Sequence, residues 1–309
     1  MNILLTGSSG LIGTALVDRL STSHHAVTRL VRGAPAPGPG PGTVAVGWDP
    51  VRGTIDVAGL DRAGPFDGVV HLAGAGIGAK RWSAERKAAV VDSRIESTRL
   101  LVDTLDRLSA RPPVLVSASA IGWYGDRGDE VLTEASAPGT GFLAELCRGW
   151  EAAAEPAGRL GMRTVLLRTG IVMSGTGGAL GRQLPLFRLG LGGRMGGGKQ
   201  YRSWISLEDE IGVILHCLKD DGLRGPVNAT APEPATDAEL ARSLGAVLHR
   251  PSVVAVPAAA LRLALGREMA EELVLGGQRV LPAALQSVGY EFAHAHLDDA
   301  VRAALRPVV

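Results

Sequence analysis

The chain opens with an apolar strand that runs straight into a glycine loop: Asn2-Ile3-Leu4-Leu5-Thr6, then Gly7-Ser8-Ser9-Gly10-Leu11-Ile12-Gly13. A strand that breaks at one glycine and restarts as a helix at the third is how a chain holds a dinucleotide pyrophosphate. Gly7 permits the tight turn, Gly10 lets the backbone approach the phosphates, and Gly13 lets the helix pack close to the strand. Free N–H groups of the first helical turn, with the positive end of the helix dipole, then face the anion. The context agrees, because an amphipathic helix (Leu11–Leu20) and a second strand (Ala26–Val31) complete the unit. Gly7, Ser8, Ser9, Gly10, Leu11, Ile12 and Gly13 are therefore the expected phosphate-binding residues.

Strand-like and helix-like segments keep alternating, which predicts an α/β fold, a Rossmann-type doubly wound parallel sheet. Further strands are expected at Val44–Gly47, Gly68–Leu72, Val114–Ser117 and Arg163–Leu167, and helices at Ser83–Leu108, Gly141–Leu160 and Glu208–Leu218. Residues 33–42, rich in proline and glycine, read as an exposed spacer. Residues 171–203 are dense in glycine and read as a linker or a loop pressed against a ligand; Leu184, Leu186, Phe187 and Leu189 argue against a pure linker. The expected division is a nucleotide-binding domain over 1–230, with 171–203 as a substrate-loop insertion, and a smaller C-terminal part over 231–309. That last part has helices near Asp237–Leu248, Ala258–Leu265 and Asp298–Leu305.

Composition narrows the function. Basic and acidic residues balance at 32 against 31 and aromatics make up only 4%, which argues against a nucleic-acid partner. Met1 leads directly into a core strand and the aliphatic runs are short, so a cytoplasmic chain without a membrane segment is expected. Cys147 and Cys217 lack metal-ligand spacing, and no metal is expected. The end of the second strand reports on cofactor choice: an acid there binds the ribose 2′-hydroxyl of NAD, and an arginine accommodates the 2′-phosphate of NADP. Here the sequence is Thr28-Arg29-Leu30-Val31-Arg32 with no acid following, so Arg32 points to NADP over NAD.

Several later motifs carry a resemblance. They are His71-Leu72-Ala73-Gly74, Ser117-Ala118-Ser119-Ala120 with Tyr124-Gly125, Leu167-Arg168-Thr169-Gly170, and Trp204-Ile205-Ser206-Leu207-Glu208-Asp209. With Gly225–Ala229 and Gln278–Pro282, they make the chain resemble the extended, atypical short-chain dehydrogenase/reductase superfamily, which includes nucleotide-sugar epimerases. More narrowly it is similar to the NAD-dependent epimerase/dehydratase-like "epimerase family" branch with a DUF1731 C-terminal domain. The resemblance implies a smaller C-terminal part closing over substrate, and a cofactor wall at Leu72, Ala73, Gly74 and Ser117.

It also implies a serine that holds the substrate oxygen and a tyrosine that moves the proton, helped by a lysine four residues on. Ser119 aligns best with the serine, with Ser117 as the alternative. None of Tyr124, Tyr201 and Tyr290 begins a Tyr-x-x-x-Lys motif, and Phe142 or Leu143 stands in the tyrosine's place. Tyr124 is the remaining proton-donor candidate, ahead of Glu145 and His71. Arg168 is a candidate for orienting an anionic group, or for pairing with a core carboxylate. Lys199, Gln200, Tyr201 and Trp204 are candidate substrate contacts. Two function classes follow: an NADP-dependent oxidoreductase or epimerase on a small polar, nucleotide-linked or other substrate, or a non-catalytic NADP-binding redox sensor. The expected assembly is a monomer or homodimer.

Overall fold

The computed structural model describes residues 1–33 and 42–306. Most of the spacer 33–42, namely 34–41, thus lies outside the described residues. The first half runs β1 (Asn2–Thr6), α1 (Leu11–Thr22), β2 (Ala26–Val31), β3 (Thr43–Asp49), β4 (Thr54–Ile55), α2 (Val57–Ala63), β5 (Gly68–His71), α3 (Ala84–Asp106) and β6 (Val114–Ala120). It continues through β7 (Val131–Leu132), α4 (Phe142–Ala154), α5 (Pro156–Arg159) and β8 (Arg163–Thr169). The single helix expected over Gly141–Leu160 is two, parted at Glu155 where Pro156 opens the second. Ser83 is not the first residue of α3 but its cap, accepting from Arg86 N.

The chain then forms β9 (Ile171–Met173), α6 (Gly178–Arg188), β10 (Tyr201–Arg202), β11 (Trp204–Ser206), α7 (Leu207–Lys219), β12 (Gly225–Ala229), β13 (Ala235–Thr236) and α8 (Asp237–Leu248). It ends with α9 (Ala258–Leu265), α10 (Arg267–Ala270), a π-helical turn (Glu271–Leu275), β14 (Arg279–Val280), α11 (Ala283–Ser287) and α12 (Leu297–Leu305).

Among the described residues, eight strands form one sheet in the order β12-β8-β6-β5-β1-β2-β3-β4, parallel except for the short β4 edge. Parallel strands covered on both faces must be apolar throughout. Ile3, Leu5, Val70, Val116 and Val165 point to one face, under Leu16 and Leu20 of α1 and Ile214 of α7. Leu4, Val69 and Leu115 point to the other, against Leu101 and Leu105 of α3. Each such fully buried side chain contributes roughly 1.5–3 kcal/mol. From β1 the chain winds outward through β2 and β3, and from β5 it winds the opposite way. A crevice therefore opens at the carboxyl ends of β1 and β5, where α/β sheets bind ligands.

Residues 171–203 carry β9 and α6, and a third core speaks against a linker there. Met173, Leu180, Leu184 and Phe187 pack with Trp204, Leu240, Leu244 and Val301, so this glycine-rich stretch is largely folded structure. Leu186 on α6 and Leu189 just past its end are exposed.

Candidate functional site

The glycine loop lies at the crevice floor. Gly7 sits at φ +71°, and a Cβ there would come within 2.6 Å of the Leu72 carbonyl carbon. A Cβ on Gly13 would stand 2.1 Å from Gly7 O, so only glycine lets α1 start this close to β1. Gly10 is exposed, and its N–H closes the turn onto Gly7 O at 3.0 Å. Side chains of Asp56, Ser83, Ser206 and Thr236 cap α2, α3, α7 and α8, whereas α1, like α6 and α9, has neither a side-chain cap nor an acid in its first turn, and of these it is α1 that starts at the glycine turn. Its free N–H groups are left for an anion, and the cradle fits a dinucleotide pyrophosphate. Ser8 and Ser9 belong to this turn, and Leu11 and Ile12 begin the helix, half-buried.

One hydrogen-bond chain sets the wall beside it. Thr6 Oγ1 accepts from Leu72 N (3.1 Å) and Ala73 N (3.2 Å) and meets His71 Nδ1 at 2.7 Å. His71 Nε2 reaches Thr98 Oγ1 at 2.9 Å, and Thr98 donates to Arg94 O at 2.6 Å. Directionality then requires Thr6 to donate to an unprotonated Nδ1 and Nε2–H to donate to Thr98. Burial agrees, holding the His71 pKa down at about 3, so the ring is neutral and serves as a brace. Gly74 is exposed at the end of this wall. Ser117, on β6 beside His71, is buried with no partner for its Oγ among the described residues. Arg32 is exposed just past β2.

The end of β6 holds a closed polar network. Ser119 Oγ donates to Glu151 Oε1 at 2.6 Å. Arg168 grips Glu151 with two bonds, Nε to Oε1 at 2.8 Å and Nη2 to Oε2 at 2.9 Å. Its Nη1 donates to Tyr124 OH at 3.0 Å, and Tyr124 donates to Asn228 Oδ1 at 2.7 Å. The guanidinium also lies 4.0 Å from the Trp123 ring centre. All five side chains are buried, Tyr124 and Asn228 completely. Burial pushes the Tyr124 pKa up, against the opposing charge of Arg168. Ser119 and Tyr124 are therefore brought together, but their hydroxyls bond to protein groups. Arg168 takes the core-carboxylate placement.

Across from this network, Leu143 and Cys147 of α4, four residues apart, face Gly122: a Cβ there would meet Leu143 Cβ at 3.1 Å and Cys147 Sγ at 3.6 Å. Burial lifts the Cys147 thiol to about 12, so it is neutral. Glu145 is exposed. The α4 start is capped from far along the chain, as Glu272 accepts from Phe142 N and Leu143 N, both at 2.8 Å. A cavity of about 120 Å³ lies here, lined by Gly122, Gly125, Asp126, Thr140, Leu143 and Glu272 among others.

The remaining candidates diverge. Lys199 is exposed, and Gln200 bonds to Met195 O and Val274 O at 2.8 and 3.2 Å. Tyr201 carries Arg279 over its ring at 5.1 Å. Trp204 is 0% exposed and its indole donates to Glu233 O at 3.0 Å, which makes it a core side chain. Sequence reasoning missed Glu151, Asn228 and Glu272. Glu151 had a signal, because it shares the helical spacing of buried Ala144, Cys147 and Ala154.

Glu210 is a second buried titrating group, with Thr169 donating to its Oε1 at 2.9 Å and burial lifting its pKa to about 8. A raised carboxyl pKa means the folded state holds a proton that the unfolded state releases above about 4.5. This contribution is lost as pH rises toward 8, at most about 1.4 kcal/mol per pH unit. His71 acts with the opposite sign, losing stability as pH falls from 6.5 toward 3. Between pH 6.5 and 8 only Glu210 of this pair acts, so urea midpoints should decline there in the wild type and stay flatter in Glu210→Gln. Equal slopes would contradict the assignment.

A doubly wound sheet with this cradle at its switch point defines a dinucleotide-binding Rossmann-type protein. The NAD dependent epimerase/dehydratase family profile matches residues 3–228, and that of a domain of unknown function, DUF1731, matches 256–304. The chain belongs to the NAD dependent epimerase/dehydratase family. It is 43% identical over 299 residues to an epimerase family protein of Mycobacterium bovis, covering 97% of this chain and 96% of that one. It is 34% identical to the human epimerase family protein SDR39U1, covering 98% and 99%. The crystal structure of human SDR39U1 (isoform 2) with NADPH matches with a TM-score of 0.85 at 32% identity, covering 98% of each chain.

Proposed function

We propose that the protein binds NADP(H) along the crevice and acts as an oxidoreductase or epimerase on a small polar substrate, a nucleotide-linked one included. The glycine cradle at an uncapped α1 carries this reading, and the NADPH in the human relative supports it. Gly7–Gly13 would hold the pyrophosphate, Arg32 the 2′-phosphate, and Leu72–Gly74 with Ser117 the nicotinamide side. The cofactor supplies or accepts the hydride. Substrate would sit near Gly122 and Leu143, with Lys199, Gln200 and Tyr201 as outer contacts. Replacing Arg32 with alanine should weaken NADPH binding by about tenfold or more while leaving NADH nearly unchanged. Equal losses for both cofactors in a fluorescence titration would remove Arg32 from this role.

A second reading, a non-catalytic NADP-binding redox sensor, is favoured by one observation. Ser119 and Tyr124 are engaged inside the protein, and Leu143 and Cys147 stand with Tyr-x-x-x-Lys spacing. Turnover of NADPH in a substrate screen, lost in Ser119→Ala, decides for the enzyme; tight NADPH binding without turnover decides for the sensor. Among the described residues no helix is long and apolar enough to cross a membrane. We take the protein to be a cytoplasmic monomer or homodimer without a nucleic-acid partner, in keeping with its balanced charge.

A further inference from the structure

The buried arginines Arg168 and Arg202 are matched to the carboxylates of Glu151 and Asp237. Arg94 of α3 is different. It is partly buried at the edge of the crevice, and no carboxylate among the described residues pairs with it. Its Nη1 donates to two carbonyls, Ala75 O at 2.9 Å and Val90 O at 3.2 Å, and its guanidinium lies 4.9 Å from the Trp150 ring centre. Carbonyls and a ring face orient a guanidinium but leave its full charge uncompensated.

Arg86, eight residues earlier on α3, repeats the pattern. It donates to Gly76 O through Nη2, and its buried Nε has no partner among the described residues. From α6, Arg182 donates to Gly78 O. Three guanidinium groups thus converge on one loop, Gly74–Gly78, which continues the wall of the cofactor crevice, and none has a carboxylate partner among the described residues. The loop also keeps Arg94 reachable. A Cβ on Gly74 would lie 3.1 Å from Arg94 Cζ, so a side chain there would cover the guanidinium, whereas exposed glycine leaves it open. The cavity at the start of α4 is lined by Asp126, Glu271 and Glu272, where Glu271 pairs with Arg262 and Glu272 caps α4. The unpaired guanidinium groups on the α3 side attract an acidic group that enters the crevice.

We propose that Arg94 and Arg86, with Arg182 at the outer edge, bind the phosphate or carboxylate group of the molecule that meets the nicotinamide end of the cofactor. The proposal rests on the crevice being the NADP(H) site. It moves the recognition of an anionic substrate group from Arg168, whose fork is engaged by Glu151, to the α3 face. The planar forks suit bidentate contact with such a group, which a lysine cannot reproduce.

The test measures binding of inorganic phosphate to the full-length protein by calorimetry, with and without saturating NADPH. Phosphate should bind the NADPH-saturated protein, and Arg94→Lys and Arg86→Gln should each weaken it about tenfold or more. Their NADPH affinities should stay within about threefold of wild type. If phosphate binds only without NADPH, and both variants lose NADPH affinity, the anion is the cofactor's own and the proposal is overturned. Absence of phosphate binding under both conditions, or unchanged binding in both variants, overturns it too. Arg94 also supports the loop, so if Arg94→Lys melts early, Arg86→Gln decides. Failure of the wild type to bind NADPH would instead refute the cofactor reading, and the phosphate arm without NADPH would still judge the arginines.

Discussion

Replacing Glu151 with alanine is expected to destabilise the fold by about 3–5 kcal/mol, because Arg168 is left charged, buried and without its carboxylate. Arg168 is only 2% exposed, so water cannot take over the lost interaction. Ser119 loses its acceptor at the same time, adding an unsatisfied hydroxyl. Tyr124→Phe removes a hydroxyl lodged between Arg168 and Asn228 and should cost less, about 1–3 kcal/mol. Pairing Glu151→Ala with Arg168→Met should recover much of the single-variant loss, since no isolated charge remains. Urea unfolding of the three variants measures this order. A Glu151→Ala loss below about 1 kcal/mol would mean that the network is relaxed or hydrated.

The second large effect belongs to Gly13. Alanine at this position cannot fit without moving backbone, because its Cβ would sit 2.1 Å from Gly7 O and 2.9 Å from Ser8 Cα. Either α1 lifts from the sheet or the turn opens, and both destroy the cradle. We expect an affinity loss of about a hundredfold or more for NADPH, together with a lower melting temperature. Gly10→Ala is the contrast, since its Cβ would meet only Gly7 O, at 3.4 Å, and otherwise points into the crevice. That variant should melt like the wild type and still bind the cofactor more weakly. A Gly13→Ala protein with unchanged melting and affinity would refute the tight strand–helix approach.

What the sequence revealed follows from how local each signal is. The β2 span Ala26–Val31 and the α8 span Asp237–Leu248 were readable to the residue, because alternation, caps and apolar spacing are encoded in neighbours. The β12 segment Gly225–Ala229 does not read as a strand in the sequence, because Pro226 and Asn228 break an apolar run. Asn228 makes sense only beside Tyr124, 104 residues away in sequence. Glu272 likewise looks like one of several surface acids until α4 is folded and its first N–H groups are found on that carboxylate. The roles of Ser119 and Tyr124 turned on the same limit: their positions could be read locally, but the partners that engage them could not. Residues 171–203 fold further than their glycines suggest for a related reason: glycines speak of turns, and the core that folds this stretch comes from α8 and α12.

The bare start of α1 has a consequence for the life of the protein in the cell. Four other helices close their first turns with a side chain of their own. The start of α1, at the glycine turn, has no such side chain and is open to a bound dinucleotide. A dinucleotide present at a hundred times its dissociation constant would add about 2.7 kcal/mol to the folded state. Proteolytic survival of the chain, and with it steady-state abundance, would then rise and fall with the cellular supply of that nucleotide, whatever reaction the crevice performs.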